Sequence, residues 1–200
     1  MKAEHFRFAR DRNRFIAARG ILRLMLGCYL SDEPRAIRFC YDQNGKPRLQ
    51  NAFGKTGIQF NLSHSEGLAL YIFTRDHEAG IDIERIRDIP EMDKIVEQFF
   101  SKRERDVFRK LPERKKREAF LNGWTCKEAF IKAMGAGLSH PLDKFDVSLV
   151  PGEPAKLLSI EGDSREASKW SIQHLKPAPN YVGALAVKSQ VFETKHWRWG

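Results

Sequence analysis

The chain has 200 residues, 42% of them hydrophobic and 30% charged, the balance of a soluble globular protein with room for one large domain or two small ones. No apolar run approaches the roughly 18 residues needed to span a bilayer, and the N-terminus is charged without the apolar stretch of a signal peptide, so the expected location is the cytoplasm, with no membrane partner. Cys28, Cys40 and Cys126 are odd in number and scattered, which argues against a disulfide framework and against a cysteine zinc site.

The net charge of +9 is concentrated. Residues 1–23 hold seven Lys/Arg against Glu4 and Asp11, and residues 102–117 hold nine against Glu104, Asp106 and Glu113. Two such blocks imply anionic partners: phosphates, nucleic acid or an acidic protein surface.

Along the chain, Asp11 is placed to cap a helix whose apolar residues Ile16, Ile21, Leu22, Met25 and Leu26 recur at helical spacing. Ile37, Phe39 and Tyr41 alternate as in a strand, and Asp42-Gln43-Asn44-Gly45-Lys46-Pro47 is dense in turn formers. Further strands are expected over residues 58–62, 68–74 and 80–84, the first two separated by Ser63-His64-Ser65-Glu66-Gly67. A helical zone follows Pro90. Ser101 with Glu104 has the form of a capping box, Pro112 interrupts, and residues 113–134 read as one long helix stopped by Gly135 and Gly137. Strands are expected over 144–150, 155–160, 168–175 and 181–188. The pattern is that of an α+β fold and allows two similar lobes, 1–92 and 93–200, each a long helix on a small, mostly antiparallel sheet.

The stretch Gly80-Ile81-Asp82-Ile83-Glu84 carries the strongest chemical signal. On a strand, Asp82 and Glu84 point one way while Ile81 and Ile83 point the other, giving two hard oxygen ligands for a cation such as Mg2+ on an apolar backing. A second stretch, Trp124 to Lys132, adds a carboxylate and two cations. Glu128 and Lys132 are four apart and neighbours on one helix face, with Lys127 to the side. His64, between two serines after a strand, is a further polar cluster.

Together these stretches resemble the 4′-phosphopantetheinyl transferases, specifically the larger type that activates peptide synthetases. The resemblance rests on five pieces in family order: Gly45-Lys46-Pro47; Phe60-Asn61-Leu62-Ser63-His64-Ser65; Gly80-Ile81-Asp82-Ile83-Glu84; Phe99-Phe100-Ser101; and Trp124-Thr125-Cys126-Lys127-Glu128-Ala129-Phe130-Ile131-Lys132, continuing into Gly137-Leu138-Ser139-His140-Pro141-Leu142. It implies an active site in the cleft between the lobes, with coenzyme A as co-substrate and Mg2+ as cofactor. It further implies transfer of the phosphopantetheine arm to a serine of an acyl or peptidyl carrier protein, with release of adenosine 3′,5′-bisphosphate. By position, Asp82, Glu84 and Glu128 would hold the metal, Lys46 and Pro47 would lie along the adenine, and Ser63 and His64 would contact phosphate. Lys127 and Lys132 would face the pyrophosphate, and Arg14 falls where the family places a nucleotide-phosphate contact.

The residue types suit that chemistry. Three acids from two elements leave coordination positions on Mg2+ free for phosphate oxygens. Attack by a serine hydroxyl on phosphorus builds charge that the metal, Lys132 and His64 would stabilise, with Glu128 or a metal-held water taking the proton. Segment 102–117 would then dock an acidic carrier protein on a monomeric enzyme. One departure stands out: the family has further residues before the position aligned to His5, including lysines that grip the nucleotide 3′-phosphate. Either the start is truncated or Lys2, Arg7, Arg10 and Arg12 take that grip. The competing expectations are a Mg2+-dependent nuclease and a non-enzymatic module binding RNA or an acidic protein. The transferase reading has no nucleic-acid partner.

Overall fold

A computed structural model describes residues 8–137 and 140–199. The expectations for Lys2 and Arg7 lie outside the described residues, as do Leu138 and Ser139 of the last motif. The first long element is the helix α1 (Ala9–Leu30), whose Ala18, Leu22 and Leu26 form its buried stripe. It begins before Asp11, with Phe8 at the cap position and no side-chain cap, so Asp11 stands inside the first turn. There its charge meets the positive end of the helix dipole and lies 3.9 Å from Arg14.

A short hairpin follows, β1 (Phe39–Tyr41) against β2 (Pro47–Leu49), closed by Asp42, whose side chain accepts the Asn44 and Lys46 amides at 3.1 and 2.9 Å. The expected strand from residue 37 is thus shorter, although Ile37 is fully buried. The strands β3 (Ile58–Ser65) and β4 (Leu68–Arg75) pair antiparallel with Ser65 opposite Leu68. Only Glu66 and Gly67 make the turn, and Glu66 takes a left-handed φ of 55° as tight hairpins require. His64 therefore belongs to the strand and not to a loop. The side chains of α1 and this hairpin meet in one cluster of Leu22, Leu26, Ile37, Leu49 and Phe60.

The strand β5 (Ala79–Arg85) leads through α2 (Met92–Phe99) to α3 (Lys102–Lys110), whose capping box between Ser101 and Glu104 is present as expected. The helix α4 (Glu113–Met134) keeps the expected bounds, ending at Gly135 in a left-handed conformation with φ 70°. It is buried on more sides than an amphipathic surface helix: Asn122, Gly123, Thr125 and Lys127 are all enclosed. Beyond it lie β6 (Phe145–Val147), β7 (Leu157–Ile160), α5 (Ser164–Ala167), β8 (Ser171–Leu175) and β9 (Tyr181–Val187). The expected strand over 144–150 shrinks to three residues because its pairing with β7 shifts register at Asp146 and Val147. The one over 168–175 starts later because Asp163 caps a turn of helix before it.

The architecture is α+β with small antiparallel sheets, as the sequence predicts. Its central sheet has the order β5-β9-β8, so a strand from the first half of the chain pairs with β9 and shares a sheet with two strands from the second. Gly80 decides how α4 meets this sheet: a Cβ there would stand 2.1 Å from the Ala129 carbonyl oxygen and 2.3 Å from the Ala133 nitrogen. Only glycine lets the strand approach the helix backbone so closely. Alternation then turns Asp82 and Glu84 to the same side as Gly80, toward α4, while Ala79 and Ile81 pack with Leu185 and Val187 on the other. No helix among the described residues is long and apolar enough to cross a membrane.

Candidate active site

The approach at Gly80 brings α4, β3 and β5 to one point. Lys132 donates to Asp82 Oδ1 at 2.5 Å and to Ser63 Oγ at 3.1 Å, and the Ser63 hydroxyl donates to the same Asp82 oxygen at 2.8 Å. Two strands downstream of one another in sequence and one helix thus share a closed triangle of polar atoms. One strand step along, Glu84 Oε2 accepts a hydrogen bond from Ser65 at 3.0 Å. Glu128 accepts no hydrogen bond among the described residues, but the charges of Lys132, Asp82 and Glu84 all act on it.

The electrostatics are those of crowded acids. Burial pushes the Glu84 carboxyl up, and the neighbouring Asp82 charge pushes it further. Glu128 is raised first by burial and then by Asp82 and Glu84, against the lowering effect of Lys132. Asp82 itself is 3% exposed, and its second oxygen, Oδ2, is buried without a hydrogen-bond partner. A buried carboxylate oxygen left unpaired is costly, and hard oxygen donors crowded together suit a divalent cation. Among the described residues no three Asp, Glu, His or Cys side chains already gather as a metal-holding group, and Asp82 is held by Lys132 and Ser63.

Beside this cluster a cavity of about 310 Å³ opens between α1 and β3, and His64, Ser63, Lys132 and Pro47 all line it. Asn61 and Arg19 complete its polar wall; the Arg19 guanidinium lies 5.4 Å from the Phe15 ring centre, and its Nη1 is buried without a hydrogen-bond partner. Burial lowers the Arg19 pKa from its ordinary value, and a guanidinium with an unpaired N–H beside Lys132 is suited to a phosphate.

A profile of the 4′-phosphopantetheinyl transferase superfamily matches residues 78–186, which span β5, α4 and β9. Over 198 residues the chain is 40% identical to the 4′-phosphopantetheinyl transferase HetI of Nostoc sp., covering 99% of this chain and 80% of that protein. The chain belongs to the 4′-phosphopantetheinyl transferase superfamily. It is also 32% identical over 148 residues to the transferase ffp of Bacillus subtilis, covering 74% of this chain and 63% of that one. Among solved structures, Thermotoga maritima holo-acyl-carrier-protein synthase superposes with a TM-score of 0.44 at 25% identity, over 57% of this chain and 64% of that one.

Not every residue expected at the site of this transferase is brought there. Lys127 is fully buried and turned inward, donating to Glu104 at 2.8 Å and to the carbonyls of Leu142 and Phe145 at 2.7 and 2.8 Å. No exposed atom of it remains to face a pyrophosphate, so that expectation is corrected: Lys127 ties α4 to α3. Lys46 donates to the carbonyls of Ala133 at 2.8 Å and Ala79 at 3.4 Å, satisfying a free carbonyl at the end of α4. Its ammonium is thereby committed to the backbone, and burial lowers its pKa to about 8. Arg14 points to Asp11 and does not line the cavity. Arg19 was missed by sequence reasoning, yet it carries a signal: it falls within the helical stripe of Phe15, Ala18, Leu22 and Leu26, where an arginine must be buried with a purpose.

Proposed function

We propose that this transferase moves the 4′-phosphopantetheine arm of coenzyme A to a serine of an apo acyl or peptidyl carrier protein, at the cluster of Asp82, Glu84, Glu128 and Lys132. The observation that carries the reading is the closed contact of Lys132 and Ser63 on Asp82, beside a cavity lined by Arg19 and His64, in a chain of this family. The serine oxygen attacks the pantetheine-side phosphorus, and the bond from that phosphorus to the bridging oxygen breaks. Adenosine 3′,5′-bisphosphate departs with the electron pair.

This chain's own groups serve each part of that step. Lys132 and His64 stand at the cavity where charge develops on the phosphate oxygens, and Arg19 offers its unpaired N–H to a phosphate. Pro47, with Phe15, Ala18 and Leu62, gives the cavity an apolar wall for a base. The serine proton goes to Glu128, the one carboxylate of the three that accepts no hydrogen bond among the described residues. Asp82, Glu84 and Glu128 would hold Mg2+, which when bound neutralises charge on the diphosphate.

We further assign carrier docking to the basic segment 102–117. Arg105 and Arg109 are paired with Glu97, Lys116 with Glu113 and Arg117 with Asp88, whereas Lys102, Arg103 and Lys110 form no ion pair among the described residues and line a groove of about 900 Å³ whose walls also carry Asp106, Asp143, Asp146 and Glu161. Unpaired cations steer an acidic surface best. We retain lobes 1–92 and 93–200, a monomeric enzyme and a cytoplasmic setting as parts of the same proposal; the presence of the whole cluster in one chain supports the monomer. The deciding experiment incubates the protein with Mg2+, coenzyme A and several apo carrier proteins. A carrier gains the mass of one phosphopantetheine arm; no gain on any carrier would refute the reading.

A further inference from the structure

Three side chains at alternating positions of β3 reach across to β5. Asn61 Oδ1 accepts the Ile81 N–H at 3.0 Å, Ser63 donates to Asp82 at 2.8 Å, and Ser65 donates to Glu84 at 3.0 Å. The hydrogen-bonded neighbour of β3 is β4 and that of β5 is β9, so among the described residues no backbone ladder joins β3 to β5. The polar link between them is this row of side chains, set by the two-residue period of the strand.

The two serines are wired alike. The Ser63 oxygen accepts from Lys132 at 3.1 Å, and the Ser65 oxygen accepts the Arg85 N–H at 3.1 Å. A hydroxyl has one proton. With a donor already directed at its oxygen, each serine turns that proton to a carboxylate, and in each case the carboxylate belongs to the pair on β5. Arg85 is itself steadied by Glu66 at 3.2 Å, so the turn between β3 and β4 helps fix the arrangement at Ser65.

We propose that Ser65 is a positioning residue: its hydroxyl, oriented by the Arg85 amide, holds the Glu84 side chain in the orientation in which Glu84 and Asp82 take a divalent cation. The proposal rests on the transferase reading above. Outer-sphere hydrogen bonds to ligating carboxylates commonly contribute about 10–100-fold to metal affinity. Ser65 does not line the cavity beside Lys132 and His64, so its effect is expected on the metal and not on coenzyme A.

The test uses the purified full chain and Mn2+ as the probe, with free Mn2+ followed by electron paramagnetic resonance in the absence of coenzyme A. Ser65→Val and Ser65→Thr have nearly the same shape and differ in the hydroxyl; Ser65→Ala serves as a second deletion should valine perturb the fold, which circular dichroism melting reports. The expected result is about a tenfold loss of Mn2+ affinity in Ser65→Val and Ser65→Ala, near wild-type affinity in Ser65→Thr, and an unchanged KM for coenzyme A at saturating Mg2+. A folded Ser65→Val that binds Mn2+ like the wild type overturns the inference alone, provided the wild type binds Mn2+ and modifies a carrier. A raised KM for coenzyme A at unchanged Mn2+ affinity also overturns it, by making Ser65 a substrate contact. Wild-type protein that binds no Mn2+ overturns it together with the metal assignment.

Discussion

Lys127 and Lys132 leave the same helix on different sides, the first closing at 2.8 Å on the buried Glu104 and the second at 2.5 Å on Asp82. Five residues along an α-helix is a rotation of about 140°, so the two ammonium groups cannot serve one phosphate chain. One fastens α4 to α3; the other faces the candidate site.

The two lysines should therefore fail differently. Burial pushes the Glu104 carboxyl up and the Lys127 ammonium down, each opposed by its partner's charge. Lys127→Met leaves Glu104 unpaired in the core and should cost about 3–5 kcal/mol in urea unfolding, with activity per folded molecule retained. Lys132→Met, at a partly exposed pair, should cost less stability than Lys127→Met and should lower kcat by about 10²–10³-fold. Equal loss of stability in both variants would contradict this division.

Gly80→Ala places a methyl group against the backbone of α4 at Ala129 and Ala133, where little can give. We expect at least about 1–3 kcal/mol of destabilisation together with loss of activity, because Lys132 retreats from Asp82 as the helix is pushed off. Gly67→Ala, with nothing within 4 Å of the added carbon, is the control. Comparing their thermal melts and rates checks the point.

Arg19→Ala should raise the KM for coenzyme A by at least about tenfold with a smaller change in kcat, since it removes a ground-state phosphate contact. Arg14→Ala, away from the cavity, should change KM by less than about twofold. Steady-state kinetics with coenzyme A as the varied substrate decides which arginine serves.

Lys46 gives the protein a pH signature. Its folded pKa, about 8, lies below the ordinary value of 10.5, so the unfolded chain binds more protons between those limits. Its contribution to stability therefore rises with pH from about 8 to 10.5 and is least favourable below 8. Unfolding free energies of the wild type and Lys46→Met at pH 7.5, 9 and 10 should differ in that direction. A difference independent of pH would rule the titration out.

Charge reversal at Arg103 and Lys110 should raise the KM for carrier protein about fivefold or more at low salt, and the effect should fade as salt is added. The KM for coenzyme A should stay constant. A shift in both constants would place the segment in the nucleotide site instead.

Much of this was written in short-range pattern. The alternation of Gly80, Asp82 and Glu84 against Ile81 and Ile83 determined which side chains share a face, Pro112 and Gly135 determined the ends of α4, and Ser101 with Glu104 determined the cap of α3. Each of these depends on the geometry of a few consecutive residues, which the chain carries by itself. What lay beyond the sequence was partnership: that Lys127 turns to Glu104, that Lys46 spends its charge on the end of α4, that Ser63 and Ser65 reach β5, and that Arg19 and not Arg14 borders the cavity. Those outcomes depend on how closely α4, β3 and β5 approach one another across long stretches of chain. That distance is decided by packing at Gly80 and in the core, because a hydrogen bond formed at 3 Å is lost when the backbone stands an ångström or two further off.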